Sequence, residues 1–207
     1  PALIWKNYTA QLVGKVRVAD RAGTRVQLNP LDQHRYPFMF VVDDETGLML
    51  KMVVSGAQGQ VLEKFHYVAV EYGPVEKQEL LPHISDYKVM QHLPSAGEDD
   101  IADSQKHLWQ LNWIPSGFVQ EKAKMRAWHG SAPGQQVYMY ADGLAAFSVF
   151  IEPAEAGTGS ETSSQNGSTS AVSRYVNHNG LTFLVTVVGE IPIMTAKQIA
   201  LSVEPAA

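Results

Sequence analysis

The dipeptide Asp142-Gly143 constrains the fold of this chain most, because it lies between two runs of apolar and aromatic residues. A two-residue Asp-Gly turn accepts positive φ at both positions, which is the geometry of a tight β-hairpin. On the return strand, alternate side chains from residue 144 to residue 151 divide between two faces. Both faces are mostly apolar, so the pattern predicts a central strand covered on both sides. We interpret the stretch as structural.

The composition is that of an ordinary globular protein, with 207 residues, 45% hydrophobic and 18% charged. This length accommodates one sizeable domain or two small ones. The net charge of −5 argues against a nucleic-acid partner. The absence of cysteine excludes disulfides, iron–sulfur clusters and thiolate zinc sites. The chain starts with Pro1 and shows no leader pattern, which favours a mature or truncated product.

Residues 1–75 are predicted to be a first unit, with a β meander over residues 12–72. Alternating patterns place strands over residues 12–18, 25–28, 38–42, 48–54 and 61–72. The loop over residues 43–47 fits a type I turn with Gly47 in the left-handed conformation. No helix of useful length is expected before residue 75. Such a sheet would have an uncovered apolar face and an open edge.

Residues 76–106 are predicted to be a linker, since they contain two prolines and one glycine and have an acidic run near their end. Residues 107–207 are predicted to form a second unit, an antiparallel sheet of four or five strands with a hairpin at Gly180 and one C-terminal helix. Within this unit, residues 154–171 are rich in Gly, Ser and Thr and are predicted to be a mobile loop. The fold class is therefore α+β, mainly antiparallel β.

No motif in the chain indicates catalysis or a cofactor. The seven histidines form no metal-binding pair of the HxxxH type, and no serine occupies a Gly-x-Ser-x-Gly turn. The acidic residues 43–45 lack the periodicity of a calcium loop, so we interpret them as a solvated hairpin tip. We therefore expect no enzyme activity, no metal and no cofactor.

The second unit is dense in aromatic residues, which favours a protein-binding patch. The contact residues predicted from their anchor chemistry are Trp109, Trp113, Phe118, Arg126, Trp128 and Tyr138. The turn residues predicted to be structural are Gly47, Asp142, Gly143 and Gly180. Two interpretations stay open for Arg35, Arg126 and Arg174. Each either pairs with a partner's carboxylate or a lipid phosphate, or lies on a solvated strand face.

Several ordered motifs resemble the MucB/RseB family. The first unit resembles the second half of that family's lipoprotein-carrier-like (LolA-like) domain, through Asp32-Gln33-His34-Arg35-Tyr36, Asp44-Glu45-Thr46-Gly47-Leu48 and Leu62-Glu63-Lys64-Phe65. The second unit resembles its C-terminal domain, through Trp113-Ile114-Pro115-Ser116-Gly117-Phe118, Tyr140-Ala141-Asp142-Gly143-Leu144, Phe147-Ser148-Val149, Val188-Gly189-Glu190-Ile191-Pro192 and Thr195-Ala196-Lys197. The resemblance runs from about residue 12 to the end. The family's signal peptide and the first part of its LolA-like domain have no counterpart here.

The resemblance implies a periplasmic negative regulator of the envelope stress response. Such a protein binds the periplasmic part of a transmembrane anti-sigma factor of the MucA/RseA type and protects it from the site-one protease, which keeps the sigma factor inactive. Binding of lipid or lipopolysaccharide would release the complex. A sheet edge and the aromatic patch would hold the partner segment. The alternatives are a lipid-binding sensor or lipoprotein carrier and an envelope hydrolase, and an open edge also favours a homodimer or higher oligomer.

Overall fold

The computed structural model of the chain describes residues 4–74, 109–121, 136–155 and 161–206. The predictions for residues 76–106 and for Arg126 and Trp128 lie outside these ranges. Residues 4–74 begin with the single-turn helix α1 (Ile4–Asn7). They continue as a five-stranded antiparallel meander of β1 (Tyr8–Val18), β2 (Arg21–Pro30), β3 (Phe38–Asp43), β4 (Met49–Ser55) and β5 (Val61–His66). The predicted meander is present, and its last strand is shorter than predicted because the main chain leaves the ladder after His66.

One face of this sheet carries an apolar row that crosses all five strands. The members are direct neighbours in register, namely Leu12, Val26, Phe40, Met52 and Phe65. The ends of the row are open, since Leu12 is 75% exposed and Phe65 is 40% exposed. The next row lies towards the second unit and is buried, with Leu28, Phe38 and Val54 packed around Tyr8 and Tyr36. The sheet therefore has a covered end and an end that the described residues leave open.

The second unit is built on a six-stranded antiparallel sheet in the order β10-β11-β12-β9-β8-β7. Its strands are β7 (Val119–Gln120), β8 (Gln136–Ala141), β9 (Ala146–Ala154), β10 (Thr162–Asn166), β11 (Thr169–His178) and β12 (Leu181–Gly189). The α+β class and the antiparallel arrangement are confirmed. The sheet has more strands than predicted because β10 extends it at one edge.

The low-complexity stretch differs from the mobile loop predicted over residues 154–171. The strand β10 pairs with β11 from Thr162↔Ser173 to Asn166↔Thr169, and Gly167 turns the chain at a φ of 60°. All five side chains of β10 are exposed and polar, so composition alone gives no reason for order. The strand is held by main-chain hydrogen bonds and by its tip, where Ser168 is buried against the first unit.

The C-terminal helix α2 (Ile193–Ser202) packs on β11 and β12. Pro192 is the residue before its first turn, and its carbonyl accepts from the amides of Thr195 and Ala196. Ala196, Ile199 and Ala200 are buried in the main core. The helix ends where the chain becomes extended as β13 (Val203–Pro205), which pairs with β6 (Trp109–Leu111). Within the described ranges, no helix has the length and apolar character needed to cross a bilayer.

The acidic hairpin tip over residues 43–47 is more ordered than a solvated loop. Gly47 has the predicted positive φ, at 75°. Asp43 is buried and accepts from the Arg21 guanidinium, with Arg21 Nη2 2.9 Å from Asp43 Oδ2. Asp44 pairs with Lys15 at 2.8 Å. Interpreting the whole trio as solvated was therefore wrong for Asp43, because its partner Arg21 comes from the preceding strand.

This pair predicts an acid-sensitive contribution to stability. Hydrogen bonds from Arg21, and then from Thr46, lower the pKa of Asp43 to about 2 from its usual 3.8. Because the pKa is lower in the folded state, the stabilisation is complete above the ordinary pKa and is lost as the pH falls from about 4 towards 2. We expect the urea midpoint of the unchanged protein to exceed that of Asp43→Asn at pH 6, and the difference to shrink as the pH is lowered to 2.5. Glu45→Gln is the control, since Glu45 is 81% exposed. A difference that is constant with pH would contradict the assignment.

Candidate functional site

The central hairpin is the part of the second sheet that meets the first. Its turn is a four-residue loop, since β8 and β9 pair as far as Ala141↔Ala146. Asp142 Oδ1 accepts from the amides of Leu144 at 2.9 Å and Ala145 at 2.8 Å. Of the four loop residues, only Gly143 has positive φ, at 100°. The predicted two-residue turn with positive φ at both positions was therefore wrong, because the Asp142 side chain closes the loop.

The second oxygen of Asp142 binds Arg35 of the first unit. Arg35 Nε lies 2.5 Å from Asp142 Oδ2, and both side chains are completely buried. The same guanidinium donates through Nη2 to the Ser116 carbonyl at 2.6 Å and through Nη1 to Asp32 Oδ2. Its carbon lies 4.5 Å from the centre of the Phe118 ring. We call these contacts of Arg35 with Asp142, Ser116 and Phe118 the Arg35 bridge.

Neither interpretation of Arg35 from the sequence was right. Its charge faces neither a partner nor solvent, because an aspartate 107 positions later in the chain neutralises it inside the protein. Tyr8 completes this buried cluster, with its hydroxyl 3.5 Å from Asp142 Oδ2. Burial, and then the negative charge of Asp142, raise the pKa of Tyr8 well above its usual value, so its hydroxyl stays protonated. Tyr8 therefore takes part in the cluster as a neutral hydroxyl that donates to Asp142.

Among the described residues, four further hydrogen bonds cross between the two units. They are Tyr36 Oη to the Ile191 carbonyl at 3.2 Å, Gln165 Nε2 to Tyr36 Oη at 3.2 Å, Ser168 Oγ to Glu63 Oε2 at 2.6 Å, and His34 Nδ1 with Thr195 Oγ1 at 3.1 Å. The main chains also approach closely at one point. A Cβ on Gly117, whose φ is 86°, would lie 2.0 Å from Asn7 Oδ1. The interface is thus mostly polar and locally tight.

A groove of about 390 Å³ opens beside this interface, between the start of β5 and the β10–β11 hairpin. It is lined by Gln60, Val61, Leu62, Gln165 and Gly167. The strands β5 and β10 are edge strands of their two sheets. Edge strands expose main-chain donors and acceptors that an extended polypeptide can pair with. The arrangement therefore suits recognition of a peptide backbone.

The structure places the predicted contact residues mainly in the core. Trp109, Phe118 and Tyr138 are 4%, 4% and 6% exposed. Trp113 is half-buried, and its ring packs edge-on against His34 with centroids 5.1 Å apart. Partner contact by any of the six residues stays a prediction, and the burial of the first three means that such contact would require the core to open. The turn residues Gly143 and Gly180 have positive φ, at 100° and 77°.

Arg174 is half-buried, and its Nη1 donates to the Ala200 carbonyl at 3.2 Å, so contact of Arg174 with a partner stays a prediction. Among the described residues, no group of three or more His, Asp or Glu side chains could hold a metal ion. The residues that sequence reasoning missed are Asp32, Arg35 and Asp142 acting together. The sequence held one indication of this cluster, because the oppositely charged Asp32 and Arg35 lie together in the short polar connection between β2 and β3.

Models of two protein domains match the chain, the MucB/RseB N-terminal domain over residues 1–84 and the MucB/RseB C-terminal domain over residues 103–204. The sigma factor AlgU regulatory protein MucB of Pseudomonas aeruginosa is 35% identical over 207 residues, which is 100% of this chain and 64% of that protein. The sigma-E factor regulatory protein RseB of Haemophilus influenzae is 25% identical over 199 residues, or 96% of this chain and 60% of that protein. The chain thus spans less than two thirds of the length of these relatives.

Solved structures of MucB are similar over the whole chain. The complex of Pseudomonas aeruginosa MucA and MucB matches with a TM-score of 0.80 at 32% identity and 68% coverage of the MucB chain. MucB in complex with MucA(peri) matches at 0.79, with 33% identity and 70% coverage. A crystal structure of MucB matches at 0.66, with 32% identity and 66% coverage. Domain models, sequence identity and fold agree, and the chain belongs to the MucB/RseB family.

Proposed function

We propose that this protein is a periplasmic regulatory binding protein. It binds the periplasmic segment of a transmembrane anti-sigma factor of the MucA/RseA type and protects that segment from site-one proteolysis, so that the envelope-stress sigma factor stays inactive. The observation that carries the proposal is the similarity of the whole chain to MucB in two complexes with MucA, at TM-scores of 0.80 and 0.79. The relatives are named as regulatory proteins, and binding alone accounts for such a role, so the proposal includes no catalysis.

The geometry supports a polypeptide partner. The groove between β5 and β10 is lined mostly by polar side chains and main chain, and both strands that border it are sheet edges. Main-chain hydrogen bonds along a sheet edge give affinity, and nearby side chains select the sequence. A segment held along such an edge is shielded from a protease, because proteases bind their substrates as extended, accessible chains.

The direct test is binding of the purified periplasmic domain of Pseudomonas aeruginosa MucA, measured by isothermal titration calorimetry. We expect saturable binding and slower cleavage of MucA by the site-one protease when this protein is present. We also expect Trp128→Ala and Arg126→Ala to weaken binding about tenfold or more, since buried tryptophan and arginine anchors dominate interfaces. Gln198→Ala, on the exposed side of α2, is the control. Absence of binding by the unchanged protein would refute the proposal, and unchanged affinity in both variants would remove these two residues from the site.

A second candidate function, lipid sensing, is favoured by the apolar row on the first sheet. Leu12 and Phe65 at its ends are 75% and 40% exposed, an arrangement suited to an acyl chain. The discriminating variant is Leu12→Glu, which places a charge on this row at a distance along the sheet from the groove. Reduced binding of a fluorescent fatty acid with unchanged MucA affinity would support a separate lipid site. Equal fatty-acid binding by the unchanged protein and the variant would contradict it.

A further inference from the structure

Among the residues that the structure describes, Arg35 makes the most contacts between the two units. Arg35, on the connection between β2 and β3, donates to two separate loops of the second unit, the loop before β7 through Ser116 and the loop between β8 and β9 through Asp142. Both bonds are charge-assisted, and the bond to Asp142 is fully buried, so each is stronger than a neutral hydrogen bond. The Arg35 bridge therefore fixes both the distance and the rotation of one sheet relative to the other.

The remaining contacts among the described residues lie around this bridge. The bond from Tyr36 Oη to Ile191 and the bond from Gln165 to Tyr36 Oη are neutral, at 3.2 Å each. Ser168 bonds Glu63 near the groove itself. Apolar packing across the interface is limited, with Leu144 of the second unit against the small core of the first. Polar interfaces of this kind between parts of one chain permit relative motion unless specific bonds prevent it.

The walls of the groove come from both units. Gln60, Val61 and Leu62 belong to the first, whereas Gln165 and Gly167 belong to the second. Any rotation of one sheet relative to the other therefore changes the width of the groove and the angle between the two edge strands. A partner that contacts both walls would bind only when the units have the matching arrangement.

We infer that the Arg35 bridge holds the two units in the arrangement that binds the partner, so that it sets partner affinity without touching the partner. The inference rests on the proposed function, whose regulation it describes. This chain matches the two MucA complexes with TM-scores of 0.80 and 0.79 and the crystal structure of MucB with a TM-score of 0.66. The apparent dissociation constant rises in inverse proportion to the fraction of molecules in the competent arrangement.

The test uses two variants that loosen the interface by different means. Arg35→Met combined with Asp142→Asn removes both charges, and the amide oxygen that the second change introduces can still accept from the main-chain amides of the loop. Tyr36→Phe removes a hydroxyl that makes two cross-interface bonds and leaves every charge in place. Arg174→Met is the matched control, because Arg174 bonds a carbonyl within its own unit. Thermal melts establish that each variant is folded.

Two readouts separate the inference from the proposed function. The chain has no cysteine, so Gln11→Cys with Leu181→Cys gives one spin-labelled pair, with one exposed position in each unit. Double electron–electron resonance measures the distance between the two spin labels. We expect one narrow distance distribution in the unchanged protein and in the control, and a broader distribution in both interface variants. Calorimetry with the periplasmic domain of MucA should show affinity reduced about tenfold, as expected when the competent fraction falls to about one tenth.

The possible outcomes distinguish the role of the bridge, its coupling to partner binding and the proposed function. Broadened distances together with weaker binding support the inference. Narrow distances in both interface variants overturn the bridge, and broadened distances with unchanged affinity overturn its coupling to the partner. If the unchanged protein binds no MucA, the proposed function and the coupling fail together, while the distance measurement still decides whether Arg35 fixes the arrangement.

Discussion

Replacing Arg35 with alanine should lower the free energy of unfolding by about 3–5 kcal/mol, the usual effect of removing one partner of a buried ion pair. The substitution leaves the Asp142 carboxylate in a site with no exposure to solvent and without its cation. It also removes the donor to the Ser116 carbonyl and the group that covers the Phe118 ring. Urea unfolding followed by circular dichroism and by tryptophan fluorescence measures the loss, and agreement of the two signals tests whether the units unfold together.

The controls for this prediction separate the buried charge from the loss of a side chain. Arg174→Ala should cost about 1 kcal/mol, since its bond to the Ala200 carbonyl is a single one on a half-buried residue. Adding Asp142→Asn to Arg35→Met should recover much of the stability, because the fully buried carboxylate is then neutral. Asp32 also loses its cation, but its side chain is 31% exposed and water can solvate it. A cost for Arg35→Ala that is no greater than that of Arg174→Ala would contradict the assignment of a buried pair.

Gly189→Ala should be the other severe substitution, lowering stability by about 3 kcal/mol and the melting temperature by roughly 10 °C. A Cβ at this position would lie 2.4 Å from the Phe147 Cβ and 2.5 Å from the Ala146 carbonyl oxygen. Phe147 is Gly189's partner in the ladder between β9 and β12, and it is buried at the centre of the main core. Relief would require the two central strands to separate, because the obstruction is partly main chain.

Differential scanning calorimetry of Gly189→Ala and Gly73→Ala tests this directly. Gly73 is the matched control, because a Cβ there would meet no atom within 4 Å. The Gly73→Ala variant should melt within about 2 °C of the unchanged protein, since surface substitutions without a special role change the free energy of unfolding by about 0.5 kcal/mol or less. Equal melting temperatures for the two variants would show that β9 and β12 accommodate the extra methyl group.

The local parts of the fold could be predicted because their patterns are local. The alternation of apolar residues indicated the meander over β1 to β5, and the turn signal at Gly180 indicated the hairpin of β11 and β12. The strand β10 could not be predicted, because its Thr, Ser, Gln and Asn side chains bury nothing and its order comes from pairing with β11. Composition describes side chains, whereas a ladder is made by the main chain.

The candidate site was harder to predict than the fold, since it depends on residues far apart in sequence. Arg35 and Asp142 look ordinary in their own segments, one in a polar connection and the other in a turn. The aromatic residues were interpreted as a surface patch because a small unit rarely buries so many. Phe118 is nevertheless buried, because the first unit covers it through the Arg35 guanidinium.

The buried pairing of Arg35 with Asp142 has a consequence for how sequences of this family diverge. Losing Arg35 alone leaves the Asp142 carboxylate unpaired in the interior, and losing Asp142 alone leaves Arg35 with only the partly exposed Asp32, so an intermediate with a single change is disfavoured by selection. Natural relatives should therefore exchange the two positions together, keeping both charges or neither, although 107 positions separate them in the chain. An aligned set in which one charge is often kept without the other would show that evolution has another way to neutralise this interior.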